Sequence, residues 1–124
     1  MKKLRIGLGT PDDFFAQGKR IARAADRGES IAETFSVEFE DPEDLVQLLT
    51  RARLGVFRTV KAEPASVSAI ARRLHRDRSA VKRDVDVLRD AGLVIVENMP
   101  NPGRGAREIV RATAAHVELR ARIV

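Results

Sequence analysis

Arg78, Ser79, Lys82 and Arg83 crowd the early part of the stretch RDRSAVKRDVDVLRDAGL, residues 76–93. A guanidinium is a planar fork of N–H donors, an ammonium is a compact cationic donor, and a serine hydroxyl can donate or accept. Gathered on one flank, such groups recognise clustered acceptors: a phosphate, a carboxylate, or a purine edge such as the O6 and N7 of guanine. The chemistry they suit is binding. The chain has no Ser-x-His pattern, paired-carboxylate site, P-loop or cluster of metal-ligand residues, so no enzyme is expected. GLGT at residues 7–10 lacks the third glycine of a dinucleotide fingerprint and reads as a turn. His75 and His116 stand far apart without a cysteine near them, a weak pattern for zinc, so neither a metal nor a cofactor is expected.

Positioning these cations requires a helix, and the same stretch supplies one. Val81, Val85 and Leu88 recur at i, i+4 and i+7, one apolar stripe of a 3.6-residue period. Asp77 can cap its start and Gly92 can stop it in a left-handed conformation. With the stripe turned inward, Arg78, Ser79, Lys82 and Arg83 face outward near the helix start, and Asp84 and Asp86 are expected to pair with nearby arginines.

Two helical segments precede it. DPEDLVQLLTRARLGVFRTVKAEPA, residues 41–65, opens with an Asp41–Pro42 cap-and-proline start and carries Leu45, Leu48 and Leu49 on one face. Thr50 either caps a second helix, with Leu54, Phe57 and Val60 inward, or the helix runs through; Glu63–Pro64 ends it. SVSAIARRL, capped by Ser66, spaces Val67, Ile70, Ala71 and Leu74 for burial. After Gly92 the period becomes extended: LVIVEN and EIVRAT read as strands, and MPNPGRGAR between them reads as a projecting loop.

The first forty residues read differently. KLRIGL alternates Leu4, Ile6 and Leu8 against Lys3, Arg5 and Gly7, TPDDFFAQGKRIARAADRG carries helix signals from Thr10 to Gly28, and IAETFSVEFE alternates Phe35, Val37 and Phe39. A β-α-β unit of this size cannot bury its own faces and must pack on the rest of the chain or on a second subunit. HVELRARI, with Val117, Leu119, Ala121 and Ile123 alternating, predicts one more strand.

The expected fold class is therefore α+β: an N-terminal β-α-β extension, residues 1–41, used for dimerisation or partner binding, and a winged helix-turn-helix, residues 42–124. Three helices followed by a hairpin with a basic tip is the winged-helix order, and it turns the cationic helix start toward the major groove of double-stranded DNA. Arg78, Ser79 and Lys82 are the candidates for base contact, with Arg83 on base or phosphate. Arg104 and Arg107 on the wing suit a narrow minor groove. Ser66 and Arg76, with Arg72 and Arg73, suit the phosphate backbone.

Bulk composition agrees. With 44% hydrophobic and 33% charged residues the 124-residue chain should fold as about one domain. Residues 1–49 hold 7 Lys and Arg against 10 Asp and Glu, a net of −3. Residues 50–124 hold 16 against 8, a net of +8, and the sum is the overall +5. That asymmetry points the C-terminal part at a polyanion. Single-stranded RNA is disfavoured, because such sites stack bases on aromatics and the chain has no Trp or Tyr. No apolar run approaches the ~18 residues of a membrane span, and the absence of cysteine fits a reducing cytoplasm.

LLTRARLGVFRTV, PASVSAIARRL, RDRSAVKRDVDVLRDAGLV and the strand-wing-strand that follows resemble the small prokaryotic MarR-like winged-helix regulators, over residues 29–124. The likeness is to a subgroup of predicted transcriptional regulators with an N-terminal extension and a tail after the wing. The resemblance implies sequence-specific DNA binding, a dimer, a recognition helix at residues 78–90 and a wing at 98–107. It also implies that some members act as antitoxins, repressing their own operon while binding a protein toxin. Two readings follow: a dimeric repressor, or an antitoxin whose acidic window 29–44 docks a basic partner.

Overall fold

A computed structural model describes residues 3–8, 34–100, 103 and 105–124, with the backbone alone for 3–8 and 106. The helix expected between Thr10 and Gly28, and Arg104 at the wing tip, lie outside the described residues. The elements are β1 (Lys3–Leu8), β2 (Thr34–Phe39), α1 (Pro42–Leu48), α2 (Arg51–Ala62), α3 (Val67–Leu74), α4 (Arg78–Asp90), β3 (Val94–Pro100), β4 (Ala106–Ala112) and β5 (His116–Ala121). The class is α+β.

Each described helix starts where a side chain can satisfy its free N–H groups. Asp41 Oδ1 accepts from Glu43 N–H at 2.9 Å, Thr50 Oγ1 from Arg53 N–H at 3.2 Å and Ser66 Oγ from Ala69 N–H at 3.2 Å. Of the two readings of residues 41–65, Thr50 therefore starts a separate helix. The helix ends are as definite. Gly92 N–H donates to Arg89 O and Leu93 N–H to Leu88 O, both at 2.9 Å, with Gly92 at φ 84°. This is a Schellman motif, and the buried Leu88 and Leu93 complete its apolar contact. α3 ends in the same way on His75 at φ 52°, a left-handed position that usually falls to glycine.

α2, α3 and α4 pack on one another and on the β3–β4 hairpin, burying Val56, Val60, Ile70, Val81, Val85 and Leu88 to 1% exposure or less. The hairpin is antiparallel, and Ala65 adds a bridge to Val110, donating to its carbonyl at 3.1 Å and accepting from its N–H at 2.8 Å. The order helix, short extended bridge, helix, helix, hairpin is consistent with a winged helix. The expected wing loop is narrower than the turn-rich sequence suggests. Pairing continues through Met99↔Arg107 and Pro100↔Ala106, leaving residues 101–105 as the connection. A proline is tolerated there because it ends its strand, where a missing N–H removes no interior ladder bond.

β1, β2 and β5 form a separate parallel sheet with β2 in the middle. Alternation sends Phe35, Val37 and Phe39 into the core, and β5 sets Val117 and Leu119 beside Phe35 and Val37. The strand following the wing thus serves the sheet of the first forty residues, and both join one hydrophobic core with the helices.

Thr113 ties the wing to the end of α4. It is buried, its hydroxyl donates to the Gly92 carbonyl and its N–H donates to Leu93 O at 3.0 Å. Thr113→Val keeps the shape and strands the Gly92 carbonyl, so chemical denaturation should show a loss of about 1–3 kcal/mol.

Candidate nucleic-acid interface

The three inward side chains of α4 fix its rotation: Val81 and Leu88 are fully buried and Val85 nearly so. Arg78, Ser79 and Arg83 consequently stand exposed, and Lys82 is half-exposed. Asp77 organises the first turn, accepting from the N–H groups of Ser79 and Ala80 and from the Ser79 hydroxyl. Arg78 reaches back across the turn, and its Nε donates to Ser68 Oγ on α3 at 3.0 Å. Between the two helices Ser68, Ala71, Arg72, His75, Arg76 and Arg78 line an open concavity without an acidic residue among them. A phosphate or another compact anion suits such a lining.

The remaining cations divide into paired and unpaired. Lys82 Nζ lies 2.6 Å from Asp86 Oδ1, one turn away, and Arg89 contacts Asp86 and Asp90 at 3.5 and 3.6 Å. Arg73 pairs with Glu63 at 3.5 Å. On the wing, Arg111 Nη1 sits 3.1 Å from Glu97, whereas Arg107 is exposed and makes no ion pair among the described residues. Arg83 is likewise exposed, its Nε donating only to Ser79 O at 3.4 Å. Ser66 lies half-buried at the start of α3 with its oxygen used as the cap, which leaves its hydroxyl proton free to donate.

Arg76 has a different position. Its Nη2 lies 2.8 Å from Asp84 Oδ2, and Arg53 Nε of α2 lies 3.4 Å from the other carboxylate oxygen. Asp84 is only 13% exposed. These are close ionic contacts rather than aligned hydrogen bonds, for Arg53 Nε, Arg76 Nη1 and Asp84 Oδ2 are buried without an aligned partner. Arg53 also donates to the carbonyls of Gln47 and Leu48, at 2.7 and 3.1 Å, closing the end of α1. One carboxylate thus joins α1, α2, the turn and α4. The sequence indicated an arginine partner for Asp84 but not which one, since Arg53 is thirty-one residues away. Ser68, the anchor of Arg78, carried no signal in the sequence at all.

Asp84→Asn removes the charge and leaves two guanidiniums facing each other. The site is partly solvated, so the loss should fall below the figure for a fully buried pair, at about 2 kcal/mol, read as a lowered unfolding midpoint. Asp77 supplies a pH dependence. The Ser79 hydroxyl, then the Ala80 N–H, hold its carboxyl below the usual aspartate value, aided by the Ser79 N–H and the Arg83 charge and opposed by slight desolvation. A depressed carboxyl contributes stability that is complete above its unfolded-state pKa and is lost as pH falls through the lowered folded-state value. Asp77→Ala should therefore trail the parent most at neutral pH, and the two denaturation curves should converge in acid.

Comparison with known proteins adds a family. No curated protein matches the chain. A solved structure from Methanosarcina mazei Go1, described as a possible transcriptional regulator, is similar at 26% identity and a TM-score of 0.48. The likeness covers 56% of this chain and 63% of that one. Among the described residues no helix is long and apolar enough to cross a membrane. The HVO_A0114 family model matches residues 48–117, from the end of α1 through the wing into β5, and with more than half of its length so matched the chain belongs to the HVO_A0114 family.

Proposed function

We propose that the chain is a sequence-specific, double-stranded-DNA-binding transcriptional regulator, a dimeric repressor without chemistry of its own. The carrying observation is α4, rotated by its buried stripe so that Arg78, Ser79 and Arg83 lie open on one flank beside a concavity lined by Arg72, His75 and Arg76. An α-helix fills the major groove and reads bases with its N-terminal residues. Arg78 and Ser79 then take the base edges, with Lys82 joining them once its exposed pair with Asp86 yields, a contact of little worth in water. Arg83, Ser66 and Arg72 hold phosphates. Arg76, fixed to Asp84, sets the turn and the back wall of that concavity. Arg107, on the wing, follows the adjacent groove or its backbone, and Arg104 at the tip is proposed for the same role.

A dimer of such units reads two half-sites related by the same two-fold axis as the protein. Titration against duplex from upstream of the gene, at two salt concentrations, tests this reading. The logarithm of affinity should fall against the logarithm of salt with a slope of about −0.9 per neutralised phosphate. Arg78→Ala should cost about 1–3 kcal/mol of discrimination between sequences. Arg107→Ala should weaken all duplexes alike and reduce that slope by about one. Equal and tight binding by the parent and both variants would place the contact surface elsewhere.

A further inference from the structure

β5 is an outer strand of its sheet: β2 lies on one side, and no described strand lies on the other. Protein sheets blunt such edges with proline, bulges, short strands or charged side chains. HVELRA has no proline, and its two charged residues are of opposite sign. Its exposed face instead alternates in sign, with Glu118 and Arg120 flanking Leu119, while Val117 and Leu119 are partly buried against the core. The apolar row continues past the strand into Ile123, which is 86% exposed.

This pattern is self-complementary. If a second copy of β5 is laid antiparallel about Leu119, residue pairs sum to a constant number, so Leu119 meets Leu119, Val117 meets Ala121, and Glu118 meets Arg120 twice. At the strand ends His116 meets Arg122 twice, a pair that adds no attraction. Directly opposed residues project to the same side of a sheet. Both apolar faces would then lie together, the two charge pairs on the other side, and Ile123 would come opposite Ala115. The two-fold axis runs perpendicular to a continuous six-stranded sheet, which carries the helices of both protomers on one side. β1, the other outer strand, is KLRIGL, with cations and no acid, and offers no such match to its own copy.

We infer that the chain dimerises through antiparallel pairing of β5 with β5 of a second copy, in the register that opposes Glu118 and Arg120. The inference rests on the dimeric part of the function proposed above and not on its DNA contacts. Within one chain Glu118 and Arg120 already touch, 2.7 Å apart with both side chains about half-exposed. Exchanging that contact for a cross-strand one costs little. The charges therefore set register, while main-chain bonds and the apolar row supply affinity.

Analytical ultracentrifugation over a dilution series, with circular dichroism as the folding control, tests the register. Glu118→Arg and Arg120→Glu each create two like-charge oppositions, and each should raise the dimer dissociation constant by about tenfold or more. The double exchange E118R/R120E should restore the parent value. An equimolar mixture of the two single variants should form a heterodimer, because every pair opposed at 118 and 120 is then of unlike sign; an effect confined to the pair within one chain would not produce it. A parent that stays monomeric at concentrations where it binds duplex overturns the inference, as does dimerisation indifferent to both single reversals. A normal response to the reversals in a protein indifferent to Arg78→Ala would instead sink the DNA reading and leave the β5 interface standing.

Discussion

The burial of Val81, Val85 and Leu88 is the constraint on which the rest of the structure depends. A helix turns 100° per residue, so fixing three positions fixes all the others. Arg78, Ser79 and Arg83 are exposed because the valines are not. The same rotation sends Asp84 to the margin of the stripe, where water is scarce and a carboxylate must find cationic partners. It finds one in the turn before its own helix and another in α2, whose guanidinium already closes α1. A hydrophobic decision on one helix thus settles the relative placement of four elements.

Part of the positive charge is neutralised in local ion pairs. Lys82, Arg89, Arg73 and Arg111 each stand beside a carboxylate. Arg72, Arg78, Arg83 and Arg107 make no ion pair among the described residues, and the first three of these lie around the start of α4. Arg51, Arg58, Lys61 and Arg122 are unpaired among the described residues as well, but Arg72, Arg78 and Arg83 stand close together, so their fields add at one place on the surface. The Ser68–Arg78 hydrogen bond adds preorganisation, since an arginine already held in one direction loses less rotamer freedom when it meets a partner.

Short-range features were legible in the sequence. The caps at Asp41, Ser66 and Asp77, the left-handed stop at Gly92, the α4 stripe and the alternation of β2 and β5 all follow from rules acting within a few residues. Those rules leave open the choice at Thr50 between a new helix and a continuous one. What was not legible depends on distant parts of the chain. In α2, Leu54 and Phe57 were expected inward beside Val60, yet Val56 and Val60 are the fully buried pair and the other two are only partly covered. Which helix face is deepest depends on the neighbours. The wing strands run further into the turn-rich stretch than propensity suggests, because cross-strand pairing outweighs it. The β-α-β reading placed β1 beside β2, but the second partner of β2, β5, could not be read, since alternation marks a strand and its faces without naming its neighbour.

That last pairing has a kinetic side. Phe35 lies beside Val117 and Val37 beside Leu119, contacts spanning eighty-two residues, whereas the α2–α3–α4 unit closes over much shorter stretches. Joining distant segments costs chain entropy before any contact repays it, and parallel strands are the slowest to benefit. On a ribosome, β2 emerges well ahead of β5 and must wait with its aromatic face uncovered while the helices between them are made. The sheet is thus a late checkpoint in the maturation of this chain, closing only after the α2–α3–α4 unit has been synthesised.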